Sequence, residues 1–172
     1  YTTISTELQK ADPAVSDWCM VGYKIGNTLS EFGGVTRAMC EMQGAYLTSI
    51  VERFEIQRSG AGVTARDKSG AACTYSLDDP TSMNFFGFTP PLFALLDEGF
   101  RAFLQRSGTD LKAEYLIPTA VNELLAAKRA RMRVLSSNAS WFGVTYPDDK
   151  ARVQKSIRAL VERGEYPSPL WG

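Results

Sequence analysis

Along residues 36–54 the chain alternates between apolar and polar positions with a period of two, and from residue 92 to 104 the period lengthens to that of a helix. WCMVGYKIGNTL (18–29) follows the break at Asp12-Pro13 and reads as a buried strand, with Trp18, Met20 and Val21 mixed with Tyr23 and Ile25. TRAMCEM (36–42) and YLTSIVERF (46–54) alternate on either side of Gln43-Gly44, where glycine tolerates the positive φ of a tight reversal, so a β-hairpin is predicted there. Before it, Asn27, Ser30 and Gly33-Gly34 make a loop. Residues 55–81 are glycine-rich and polar, with short strand candidates at GVTAR and ACTYSL, and read as a surface excursion or second hairpin.

SMNFFGF (82–88) predicts an aromatic strand, and Thr89-Pro90-Pro91 predicts a helix start with Thr89 as N-cap and Pro90 at the first helical position. Leu92, Leu96, Phe100, Phe103 and Leu104 then recur at helical spacing and are expected to form one buried stripe. Ser107-Gly108 ends that helix. A second one, beginning near Asp110 or Pro118, buries Ile117, Val121, Leu124 and Leu125. Its basic end, Lys128, Arg129, Arg131 and Arg133, suits either a solvated face favoured by the helix dipole or an anion site. MRVLSS (132–137) and WFGVTY (141–146) read as short strands. Pro147-Asp148-Asp149 opens a last helix, with Val153, Ile157, Leu160 and Val161 inward and Gly164 as its stop.

Strands interleaved with helices imply an α/β fold, a mixed sheet with helices packed against it. With no low-complexity linker and no internal repeat, residues 1–172 are expected to form one domain. Nineteen basic and 19 acidic side chains cancel, so no overall field favours nucleic acid or anionic lipid. Three cysteines without CxxC spacing, Cys19, Cys40 and Cys73, argue against a disulfide framework or a zinc knuckle and for a reducing, cytoplasmic home. No apolar run approaches the ~20 residues that span a bilayer. Histidine is absent, which removes imidazole bases, Ser-His triads and His-ligated metals. Chemistry is left to carboxylates, amines, guanidinium groups and backbone dipoles.

Walker A, GxGxxG and HExxH sequences are missing too, so attention falls on strand ends, where ligands of open α/β sheets lie. Gly33-Gly34 precedes the first hairpin strand and lets backbone approach a ligand, while Glu52 and Arg53 stand together on the returning strand. A carboxylate accepts two sugar hydroxyls and a guanidinium grips a phosphate; the same pair equally suits a surface salt bridge across the hairpin.

In order and content, FGGVTRAMCEMQGAYLTSIVER, SMNFFGFTPPLFALL, KAEYLIPTAVNELL and WFGVTYPDDKARV resemble the nucleotidyltransferases that activate sugar 1-phosphates. The resemblance implies a Rossmann-like α/β/α fold, a mixed sheet with flanking helices. It also implies transfer of a nucleotidyl group from a nucleoside triphosphate to a sugar 1-phosphate or similar phosphorylated acceptor, with release of pyrophosphate. Substrate-binding residues carried over are Gly34 through its backbone, Glu52 on sugar hydroxyls, Arg53 on phosphate in place of the family's lysine, and Asn84 on the pocket strand. The family's Gly-rich catalytic loop and its first magnesium aspartate belong upstream of Tyr1. The chain is therefore expected to be the carboxyl-terminal, acceptor-binding portion of a longer enzyme, inactive alone and open to self-association at an exposed sheet edge. Magnesium is expected for the full-length protein. Gly143 and Thr145 stand where its second carboxylate usually lies, and Asp148 and Asp149 are the nearest acids, so no ligand is identified. A non-catalytic sugar-phosphate-binding or regulatory module on the same fold is the alternative.

Overall fold

The computed structural model describes residues 1–30, 33–143, 147 and 149–169. They fall into two compact units, Tyr1–Ala139 and Ser140–Gly172. The first carries α1 (Thr2–Leu8), β1 (Asp17–Lys24), β2 (Val35–Gln43), β3 (Tyr46–Ser59), β4 (Gly62–Arg66), β5 (Ala72–Ser76), β6 (Pro80–Gly87), α2 (Leu92–Ser107), α3 (Ile117–Ala126) and β7 (Arg131–Ser137). The second carries α4 (Asp149–Glu162), closed by Gly164 at φ 73°.

The expected Rossmann-like open sheet is not what forms. Five strands close a mixed barrel in the order β2-β6-β1-β7-β3, with β3 returning to β2, and α1, α2 and α3 belong to the same unit. Only β1 and β7 run parallel; β1–β6, β2–β6, β2–β3 and β3–β7 are antiparallel. The reason lies in β3. At 14 residues it is long enough to pair with β2 from Tyr46 to Ile56, and on its other edge to touch β7 at Tyr46 and pair with β4 from Phe54 onward, β4 in turn pairing with β5. The strand-then-helix order of β6, α2, α3 and β7 does not build a parallel crossover, because β6 and β7 flank β1 in opposite directions.

Closure is thin on one side. β3 and β7 share a single paired position, Tyr46 with Arg133, and the Val134 N–H donates to the Ala45 carbonyl at 2.9 Å. Arg131 and Arg133 lie over the Tyr46 ring at 5.4 and 5.3 Å and pair behind it with Asp17 and Glu7. Three of the four residues of the basic cluster thus hold acids, Arg129 taking Glu98 with two bonds of 2.8 and 2.7 Å.

Three apolar clusters hold the first unit. Trp18, Met20, Cys40, Leu47, Ile50 and Met132 of the strands pack with Leu92 of α2 and Val121 and Leu124 of α3. Ile25, Met39, Ile56, Val63 and Ala65 form the second with Tyr75 against them, and Ile4, Cys19 and Val21 the third. Burying each such side chain contributes roughly 1.5–3 kcal/mol.

Helix α2 departs from expectation. Of its stripe only Leu92 is fully buried, while Phe100 and Leu104 stay 43% and 47% exposed. The helix packs at its amino-terminal end, and farther along Phe100 and Phe103 gather around Tyr115 instead. Nor does Thr89 cap it. The Thr89 hydroxyl accepts from Trp18 Nε1 at 2.9 Å and donates to the Val15 carbonyl at 2.6 Å, so the helix starts two residues late. In α3, Ile117 is 45% exposed while Ala120, Val121 and Leu124 carry the contact. Residues 141–143 form no strand, and 144–146 lie outside the described residues.

Candidate functional site

The predicted hairpin is present, its two-residue turn one position later than expected, at Gly44-Ala45, with Gly44 at φ 61°. Glycine at the first central position is what a type II′ reversal prefers. From that turn the register runs Cys40 against Ile50, Ala38 against Glu52 and Arg37 against Arg53. Across β2 the same row continues, Ala38 opposite Ser82 of β6 and Ser82 opposite Gly22 of β1. Glu52, Ala38, Ser82 and Gly22 therefore stand in line on one face, a carboxylate at the end of a shelf of small residues.

Two irregularities shape the end of that shelf. Between Ser82 and Phe86 on β6, three residues face only Val21 of β1, and in the middle of this bulge Asn84 adopts φ 56°, exposed, its N–H donating to the Ser82 hydroxyl at 3.2 Å. Asparagine is among the side chains that tolerate this left-handed region. On the other side of β2, β3 slips register between Arg53 and Ile56, with Glu55 at φ 51°. Gly34 fits against that second bulge: a Cβ there would sit 3.0 Å from the Glu55 Cα. Bulges of this kind re-aim side chains. Strands lie about 4.8 Å apart, which sets Glu52 and Ser82 roughly 10 Å apart at Cα, with Asn84 just beyond.

The four sequence-derived residues are thus gathered around the amino-terminal part of β2, but not all on one face. Glu52 is exposed, and its carboxylate holds no hydrogen bond or ion pair among the described residues. The surface salt bridge with Arg53 is not formed. Arg53 points to the opposite face, its Nε donating to the Tyr75 hydroxyl at 2.6 Å, while Nη1 curls back to the Glu52 carbonyl at 3.2 Å. Burial is the largest single influence and lowers the Arg53 pKa, but the Tyr75 hydrogen bond and the nearby Tyr75, Cys73 and Glu41 together outweigh it, and the pKa is raised.

The outer edge of β3 explains why that carbonyl is available. β7 reaches this edge only at Tyr46 and β4 only from Phe54. In the gap, Asn122 of α3 takes both backbone groups of Ile50: the Ile50 N–H donates to Oδ1 and Nδ2 donates to the Ile50 carbonyl, each at 2.8 Å. Ile50 thus faces outward rather than toward β2, and by the two-residue alternation of an antiparallel ladder so do the N–H and C=O of Glu52. The carbonyl takes Arg53; the N–H is left facing the open edge.

Ser82, Asn122 and Tyr75 were not singled out by sequence. The one available signal was Asn122, a short amide inside an otherwise apolar helical run, where such residues are unfavourable unless bonded to backbone. A cleft of about 570 Å³ opens beside Gly33, lined also by Gly26, Leu29, Ser30, Gln57 and Arg58, and the four candidate residues are outside its lining.

The described residues identify no magnesium ligand set. No three His, Cys, Asp or Glu side chains converge there, and Asp149 pairs with Arg152 at 3.3 Å; Thr145 and Asp148 lie outside them. Among the described residues no helix is long and apolar enough to cross a membrane. Neither the protein-family models nor the curated proteins compared with the chain match it.

Proposed function

We propose that this chain binds a sugar 1-phosphate or a similar phosphorylated acceptor for nucleotidyl transfer from a nucleoside triphosphate. The observation that carries the reading is the Glu52 row: an unpaired, exposed carboxylate on the same face as Ala38, Ser82 and Gly22, with Asn84 presented by a bulge just beyond. A carboxylate accepts two vicinal hydroxyl donors, and the exposed end of the row at Glu52 is where a sugar would reach it, since Ser82 and Gly22 are buried. Gly34 offers backbone where the two bulges approach β2, and a side chain there would meet the Glu55 backbone instead. Asn84 supplies an amide able both to donate to and accept from hydroxyls. Arg53 lies at the strand edge and contributes positive charge for the phosphate.

Nucleotidyl transfer needs the acceptor phosphate held in line with the attacked phosphorus, so this chain's share of catalysis is orientation. Titration with glucose, mannose and galactose 1-phosphates tests the reading. Saturable binding that weakens at least about tenfold in Glu52→Gln is expected, since a charge-assisted hydrogen bond contributes about 1.5–3 kcal/mol. Equal binding by both proteins removes Glu52 from the site. Pyrophosphate release with a panel of nucleoside triphosphates separates transfer from binding alone.

A further inference from the structure

Arg53 is held by a residue that does not neutralise it, with the Glu41 and Asp67 carboxylates close enough to feel its charge but not bonded to it. Tyr75 lies on β5, the outermost strand, and its half-buried ring packs against the cluster of Ile25, Met39, Ile56 and Val63. That packing fixes where the hydroxyl sits, and the hydroxyl accepts from Arg53 Nε at 2.6 Å. Because the oxygen is the acceptor in this bond, the phenol proton is still available for donation, and Tyr75 has no acceptor for it among the described residues. Nη2 of Arg53 has no partner among them either, and in a planar guanidinium Nη2 and Nε share one side. The Nη2 proton and the tyrosine proton therefore lie next to each other. At the far end of the same group, Nη1 is tied to the Glu52 carbonyl, which sets the guanidinium at the outer edge of β3, where the Glu52 N–H points.

We propose that Tyr75 is the positioning residue of a phosphate subsite, holding Arg53 at the edge of β3 so that guanidinium, phenol and Glu52 N–H meet the acceptor's phosphate. The inference rests on the acceptor reading above and adds its selectivity: the Glu52 carboxylate serves any sugar with suitable hydroxyls, whereas the Tyr75–Arg53 pair serves only one that carries a phosphate. Without Tyr75, the long arginine side chain samples many rotamers and loses its fixed fork.

The experiment compares wild type with Tyr75→Phe, which keeps the ring and its packing, by NMR titration with glucose 1-phosphate and with free glucose, repeated for mannose and galactose. Tyr75→Phe is expected to bind each hexose 1-phosphate at least about tenfold more weakly while binding the free hexose as wild type does. The slowly exchanging Arg53 Nε–H resonance of wild type is expected to broaden or vanish in the variant. Unchanged hexose 1-phosphate affinity in Tyr75→Phe overturns the inference and leaves the acceptor reading intact. Equal wild-type affinity for phosphorylated and free hexose, with both lost in Glu52→Gln, overturns the phosphate subsite alone. Absence of any wild-type binding sinks both. An equal loss for both ligands in Tyr75→Phe assigns Tyr75 a merely structural role and overturns the inference as well.

Discussion

Replacing Asn122 with alanine removes the two bonds that occupy the open edge of β3. Both are 2.8 Å long and end on Ile50, whose side chain is 6% exposed. A buried backbone donor or acceptor left without a partner costs about 1–3 kcal/mol. Asn122 itself is only half-buried, so water reaches part of the vacated space and the lower end of that range applies to each group. The two together cost about 2–3 kcal/mol. Alanine returns roughly 0.5 kcal/mol as the better helix former in α3. The net expectation is a destabilisation of about 1.5–2.5 kcal/mol. Urea denaturation followed by fluorescence measures it, and amide hydrogen exchange should show faster exchange at Ile50 and its β3 neighbours before any other strand responds. Asn122→Asp is expected to fare no better, because a carboxylate accepts from the Ile50 N–H but faces the Ile50 carbonyl as a second acceptor. A loss under about 0.5 kcal/mol in Asn122→Ala, the range of ordinary surface substitutions, with unchanged exchange at Ile50, would show that the clamp does not secure this edge.

Other changes test other parts of the account. Thr89→Val strands the Trp18 indole N–H and the Val15 carbonyl, both now served by one hydroxyl, and is expected to cost about 2 kcal/mol in the same urea assay without altering helix content by circular dichroism. Asn84→Gly keeps the left-handed backbone and should leave stability nearly unchanged while weakening hexose 1-phosphate binding; Asn84→Ala should lose about 1 kcal/mol as well. If both variants bind as wild type does, Asn84 serves the bulge alone. Burial raises the Cys19 thiol to about 11 and the Cys40 thiol to about 12, so native protein at pH 8 should expose only Cys73 to a thiol reagent, and denaturant should release all three. Both folded values lie above the ordinary 9.0, so above about pH 9 the unfolded chain holds fewer protons and stability should fall as pH rises toward 11–12. A flat profile there would contradict the burial of these two thiols.

Local patterns were legible where one segment decides its own conformation. The alternation in 36–42 and 46–54 fixed which side chains share a face, and placed Glu52 and Arg53 on opposite ones. GVTAR and most of ACTYSL were short strands, as their composition suggested, and α4 began at Asp149. Closure of the sheet was not legible, because it depends on pairing between segments remote in sequence: Tyr46 with Arg133, and Ala38 with Ser82. Nothing in YLTSIVERFEIQRS announces that one strand serves two sheets. The helix stripes misled for a related reason. Periodicity reports which face of α2 is apolar, not how far along it the barrel extends, and here cover ends near Leu96. Thr89 shows the same limit, since a hydroxyl before Pro-Pro suits a cap, yet a buried Trp18 71 positions away takes it.

Most non-glycine residues in the left-handed region carry a cost of roughly 1–2 kcal/mol relative to ordinary backbone, and asparagine a smaller one. This chain places two such residues in its sheet, Glu55 and Asn84, one on each strand that flanks β2. Glycine would relieve the larger cost at Glu55, while at Asn84 the asparagine already tolerates the conformation. Glu55 offsets its cost in part through Arg66 at 2.8 Å, although both are exposed and such a pair contributes no more than about 1 kcal/mol. For Asn84 no side-chain bond within the described residues offsets anything, and the residue is exposed on the bulge two positions beyond Ser82. Glu52 and Asn84 are both exposed, and neither side chain is paired among the described residues, so the acceptor proposal is tested at these two residues rather than at the cleft beside Gly33.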